Sequence, residues 1–194
     1  GRAGAPAGSA DINGDGVVNI FDLVTVASHF GQATGAPSRH ARVGERPTIT
    51  VVPAHSHGDV VTFEIRADTL AGVAGYELSF TVDPSLAELV DIEQGDALGP
   101  RAFWIEPTVS AREHRVASVR LGPAESSGVA TLARIELRDV RRRRSTAIGS
   151  AIQIRQILLS DVVGQAMTHR LVRGRANWPE AKTTVYANYP NPFN

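Results

Sequence analysis

Asp11, Asn13, Asp15, Asn19 and Asp22 put oxygen-bearing side chains at positions 1, 3, 5, 9 and 12 of the stretch D-I-N-G-D-G-V-V-N-I-F-D, with Gly16 at position 6. This is the spacing of a calcium-binding loop. Calcium is a hard cation that takes about six to eight oxygens, and the stretch offers neither nitrogen nor sulfur ligands. Asp11, Asn13 and Asp15 would turn short side chains inward from alternate positions. Gly16 permits the sharp bend that only a residue without Cβ adopts cheaply. Val17 would give its backbone carbonyl, Asn19 would ligate directly or through water, and Asp22 would close the sphere. Three carboxylates then face one doubly charged ion, so an ion-free loop repels itself. The competing reading is a polar Asx/Gly turn that caps a following helix. The match at all five side-chain positions and at the glycine favours the ion site, with Ca2+ as the expected cofactor.

A helix directly after the loop would hold it in place. Ile20, Leu23, Val24, Ala27 and Phe30 fall on one stripe, and Gly31 supplies a stop, so an amphipathic helix is predicted from about Ile20 to Phe30. Phe21 lies off the stripe, which leaves two uses for it: packing on the linker, or anchoring a partner.

The rest of the chain changes texture from Pro47 onward. Short period-two runs at residues 48–52, 60–66, 75–82, 115–121, 129–137 and 152–159 predict half-buried strands. Turn signals such as His57-Gly58-Asp59, Asp83-Pro84, Gly99-Pro100 and Gly122-Pro123 separate them. Many short strands with few helical stretches argue for a β-sandwich. Ser85 to Glu93 reads equally as one helical turn or a strand. The resulting divisions are a Gly/Ala/Pro lead-in (1–9), the loop and helix (10–32), a Gly/Pro/Ser linker (33–46), the sandwich (47–175) and an extended tail (176–194). The linker, as a flexible coil of about 14 residues, averages about 20 Å end to end, so the loop–helix can reach its own sandwich or another copy.

Asp11 to Gly31 resembles one repeat of a type I dockerin, a calcium loop of EF-hand type with Asp at position 12 and a helix ending near Phe-Gly. Dockerins usually carry two such repeats; this chain has one. The resemblance implies recognition through loop positions 10 and 11, here Ile20 and Phe21, apolar where the family often has small hydroxyl residues. The stretches GDVVTFEIRA (58–67), VAGYELSFTVDP (73–84) and GVATLARIEL (128–137) resemble a cohesin, the dockerin's partner fold, which implies a jelly-roll sandwich. The tail N-Y-P-N-P-F-N resembles the opening of C-terminal sorting or anchoring modules in some secreted bacterial proteins; Tyr189 and Phe193 in it are expected to contact a partner.

Other chemistry is poorly supported. His55 and His57 sit at i and i+2, on one face of a strand, but without an identifiable third ligand they read as a loop pair beside the Gly58-Asp59 turn rather than a zinc site. No G-x-S-x-G elbow frames a serine. Glu64, Glu77, Glu88 and Glu93 are expected to mark solvent faces of strands rather than paired glycosidase carboxylates. Arg141 to Arg144 reads as a solvated turn or a grip on anionic polysaccharide or an acidic loop of a partner, and Trp104 and Trp178 as buried aromatics rather than sugar platforms.

Composition sets the outer limits. The 194 residues carry 20 Lys+Arg against 20 Asp+Glu, which lacks the basic excess of a nucleic-acid footprint. No apolar run approaches the roughly 18 residues of a membrane span. There is no starting Met, basic leader or apolar signal segment, so the chain reads as a soluble, mature or trimmed product. With no cysteine, disulfides, thiolate zinc sites and cysteine nucleophiles are excluded, and the setting leans extracellular. The expectation is a non-enzymatic, calcium-stabilised structural protein of the cell surface. It would join copies of itself, or other cohesin- or dockerin-bearing proteins, head to tail as a filament, with the tail adding to a neighbour's sheet edge. The alternative is a carbohydrate-binding or enzyme-scaffolding fragment of a larger secreted protein.

Overall fold

The computed structural model describes residues 10–29, 46–110, 113–121, 128–140 and 151–172. Among these residues one helix, α1 (Ile20–His29), precedes ten strands: β1 (Thr48–His57), β2 (Val60–Ala67), β3 (Val73–Val82), β4 (Ala87–Gln94), β5 (Ala102–Val109), β6 (His114–Arg120), β7 (Ala130–Asp139), β8 (Ile152–Asp161), β9 (Ala166–Met167) and β10 (Arg170–Val172). They form two five-stranded sheets, one ordered β10-β1-β2-β7-β4 and the other β5-β6-β3-β8-β9. Every neighbouring pair is antiparallel except β1 and β10, which run parallel. Among the described residues the chain is mainly β.

Alternation explains why these runs pair face to face. In β2, Val61, Phe63, Ile65 and Ala67 are fully buried, while Arg66 is exposed on the other side. In β3, Tyr76, Leu78 and Phe80 point inward. With Ile135 and Leu137 of β7, Val116 of β6 and Leu159 of β8 they make one core between the sheets. The Tyr76 hydroxyl donates to the Leu132 carbonyl, tying the two sheets through the core. Burial pushes the phenol far above its ordinary range, so it stays a donor. Leu132 also accepts from Gly95 N at 2.9 Å. Tyr76→Phe therefore leaves the carbonyl satisfied and is expected to cost only about 1 kcal/mol, read as a drop of about 2–4 °C in thermal midpoint.

Several local expectations change. Residues 87–94 are a strand, β4, paired with β7 and bulged between Leu89 and Asp91; the bulge breaks the period-two pattern and leaves the stretch ambiguous in sequence. β5 escapes the period-two pattern because it carries Pro107, which fits an edge strand at a register break between Ile105 and Thr108. β9 and β10 are too short to show a period. His55 and His57 lie on β1, the strand placement of the sequence rather than the loop, and His55 Nε2 is 3.0 Å from Thr62 Oγ1. Glu64 and Glu77 do not mark solvent faces: both are buried. Arg66 Nε donates to Glu64 at 2.7 Å and Arg134 Nε at 3.1 Å, and Arg115 Nε lies 3.5 Å from Glu77. Burial works to raise the Glu64 carboxyl, but the two guanidiniums outweigh it and hold it below the ordinary range. Glu88 and Glu93 are exposed, as expected. Trp104 is partly buried against the core. Arg141 to Arg144, Trp178, Tyr189 and Phe193 lie outside the described residues, as do residues 1–9, 33–45 and 176–194.

Candidate docking site and calcium loop

The loop's side chains organise its backbone. Gly14 N and Gly16 N donate to the two oxygens of Asp11 at 2.8 and 3.0 Å. Asp15 N donates to Asn13 Oδ1 at 2.9 Å and Val17 N to Asp15 Oδ1 at 2.9 Å. Asn13 Nδ2 also donates to Asp15 Oδ2, at 3.0 Å. Gly16 sits at φ +90°, in the left-handed region where a Cβ would be strained.

Asn19 then caps α1. Its Oδ1 accepts from Phe21 N at 2.8 Å, and Asp22, three residues on, accepts from Asn19 N at 2.9 Å. This reciprocal pair is a capping box with Asp in place of Glu. The other Asp22 oxygen accepts from Ile12 N at 2.7 Å and Asn13 N at 3.1 Å. One carboxylate thus fastens the start of the loop to the start of the helix. Asp22 is 3% exposed. Burial pushes it upward, but the N–H donors of Asn19, Asn13 and Ile12 outweigh that and hold it below the ordinary carboxylate range.

The donor set suits a hard cation: carboxylate and amide oxygens on a bend that Gly16 makes possible. Among the described residues no three His, Cys, Asp or Glu side chains form a group able to hold a metal by themselves. An ion here would need the amide oxygens of Asn13 and Asn19 and the carbonyl of Val17 beside Asp11, Asp15 and Asp22.

The helix does not stand apart from the sandwich. α1 packs on the outer face of the second sheet, across β3, β6 and β8. Ile20 and Val24 are buried there with Ala74, Ala117 and Val119, and Phe21, Leu23, Ala27, Ile105, Leu158 and Val162 pack around them. Ile20, expected as an apolar contact for a partner, is 2% exposed; its own sandwich covers it, and it is inaccessible while α1 stays docked. Phe21 packs against the same patch, and residues 33–45 of the linker it was expected to meet lie outside the described residues. Leu23 and Ala27 of the predicted stripe are partly buried, and Phe30 lies outside the described residues.

Gly75 makes the close approach possible. A Cβ built there would lie 2.5 Å from Val24 Cγ2 and 3.4 Å from Ile20 Cγ1. Thr25, whose hydroxyl donates to the Phe21 carbonyl at 2.7 Å, abuts the β8–β9 turn at Gly164. The receiving half of the contact, Ala74, Gly75, Ala117 and Val119, does not stand out in the sequence as a site. One signal for it exists there: a glycine within a strand of bulky residues marks a place where another element comes close.

The two-sheet body is a cohesin-like β-sandwich. A type II cohesin domain from the cellulosome of Acetivibrio cellulolyticus superposes with a TM-score of 0.53 at 13% identity, covering 66% of this chain and 92% of that one. A type II cohesin from Bacteroides cellulosolvens gives 0.52 at 14% identity, covering 64% and 95%. A non-cellulosomal cohesin from the hyperthermophilic archaeon Archaeoglobus fulgidus gives 0.50 at 17% identity, covering 65% and 86%. No protein-family model matches the chain, and no curated protein matches its sequence. The likeness is one of fold.

Proposed function

We propose that this chain is an extracellular, non-enzymatic assembly protein in which the outer face of the β5-β6-β3-β8-β9 sheet is a docking surface for a calcium-ordered loop–helix. The observation that carries the reading is the seating of α1 on that face through Ile20 and Val24 over Gly75. A face of small residues, Ala74, Gly75 and Ala117, suits a helix laid flat upon it, and an apolar stripe needs such cover in water. The partners are copies of this chain or other cohesin- or dockerin-bearing surface proteins, with head-to-tail filaments as the assembly and the tail residues Tyr189 and Phe193 as a further contact.

Asp11, Asn13, Asp15, Asn19 and Asp22, with the Val17 carbonyl, are the proposed Ca2+ ligands. The ion would relieve the repulsion among three carboxylates and so stabilise the loop that starts α1. Light scattering and negative-stain microscopy, with calcium and with chelator, test both halves. At high chain concentration, particles larger than the monomer are expected in calcium, shrinking in chelator. The double variant Asp11→Ala/Asp15→Ala should neither bind calcium nor assemble; assembly retained by that variant would overturn the calcium mechanism.

An enzyme-scaffolding fragment of a larger secreted protein is the second reading, favoured by the likeness to cohesins of cellulosomal origin. It expects a monomer in both conditions that binds a separate dockerin-bearing enzyme. A glycan platform has less support, since Trp104 packs against the core.

A further inference from the structure

The contact between α1 and the sandwich is made by side chains of elements that lie apart in the sequence. We propose that α1 is exchangeable: the patch around Gly75 accepts α1 of a second copy of the chain in place of its own. The helix docked within the chain is then a competitor for the chain's own docking face. This rests on reading that face as the docking surface.

The chemistry favours a second copy as occupant. The face is already matched to α1: Val24 fits over Gly75, Ile20 beside it, and Phe21 and Leu23 flank Ala74, Ala117, Val119 and Leu158. An identical helix from another copy repeats every one of these contacts, so exchange changes nothing at the interface itself, the condition that makes domain swapping cheap. What differs is the tether. The stretch before Pro47, residues 30–46, would span at most about 60 Å when fully extended, and a flexible chain of that length would average about 23 Å. A tether of that kind gives its own helix an effective concentration on the order of millimolar. At micromolar chain concentration the helix therefore docks at home. Exchange takes over when the home contact is disabled or the chains are crowded on a surface.

Complementary full-length variants separate donor from acceptor. Gly75→Val blocks the face and leaves the sequence of α1 unaltered, so the released segment can refold on an open face. Ile20→Asp/Val24→Asp spoils the helix and leaves the face open. Each alone should remain at the monomer mass of 20.7 kDa in size-exclusion chromatography with light scattering. An equimolar mixture should yield a one-to-one complex of doubled mass, and adding the Ile20→Asp/Val24→Asp changes to the donor should abolish it. A mixture that stays monomeric overturns the exchange. Should Gly75→Val fail to fold, Ala117→Glu, under the helix on β6, blocks the same face.

The outcome is separable from the assembly reading. Wild-type particles that form in calcium while the mixture stays monomeric would place assembly on another surface and sink the exchange. Pairing in the mixture while the wild type never forms particles would support the exchange and overturn the calcium-gated assembly.

Discussion

Gly75→Val should release α1 from the sandwich while the sandwich itself stays folded. The reason is steric and local. Even the first added carbon would sit 2.5 Å from Val24 Cγ2, and valine brings two more. Val24 is β-branched and held in one rotamer on a helix, so its methyl group cannot swing aside. On the sheet side the nearest atom is Ser118 O, at 3.3 Å, close enough to require a shift of tenths of an ångström but not to break β3. Losing the burial of Ile20 and Val24 removes about 1.5–3 kcal/mol apiece. A ten-residue helix cannot persist alone in water without such packing. Amide hydrogen exchange over residues 20–29 should therefore accelerate by about a hundredfold or more, while β2, β3 and β7 keep their protection. Unchanged protection in α1 would show that the helix is held by something other than the patch at Gly75. Gly75→Ala, with a single added carbon, should give the same pattern at reduced size.

Asp22→Ala is expected to undo the loop and the docking together. Its carboxylate is the acceptor for Ile12 N, Asn13 N and Asn19 N, so alanine frees three donors at once. Bonds to a charged acceptor are worth about 1.5–3 kcal/mol each when buried. Most of these donors regain water once the loop opens, which limits the net loss to about 2–4 kcal/mol. Asp22→Asn should be nearly as damaging, because its amide keeps one acceptor oxygen and turns an N–H2 toward backbone donors.

The pH dependence has a definite sign. The folded-state value of Asp22 lies below the ordinary one, so its contribution is fully present above the unfolded carboxylate value of about 3.9. That contribution disappears as pH falls through the lower, folded value. Protection of α1 in the wild type should decline on acidification below about pH 4. In Asp22→Ala this part of the profile should be flat. An identical acid profile in both proteins would remove Asp22 from the account. A chelator control keeps this effect distinct from the proposed calcium, whose loss would act at neutral pH.

Much of the molecule is written locally. The oxygen spacing from Asp11 to Asp22 and the stripe through Ile20 and Val24 come from residue type and interval, because loops and helices are short-range structures. The period-two runs that form β2, β3, β6, β7 and β8 are equally plain, since each alternates large apolar residues that face the core with polar or small residues on the other side. Legibility fails where the period is interrupted: the bulge in β4, Pro107 in β5, and the two- and three-residue strands β9 and β10. Glu64 and Glu77 look solvent-facing in sequence because their burial depends on Arg66, Arg134 and Arg115, two of which sit on other strands. The sequence by itself determined that there is an oxygen-lined loop, an apolar helix stripe and a set of strands suited to a sandwich. Only the tertiary structure decided that the stripe lies on the sandwich's own outer face. The socket is assembled from β3, β6 and β8, residues distant in sequence whose small side chains acquire meaning only when the sheet brings them side by side.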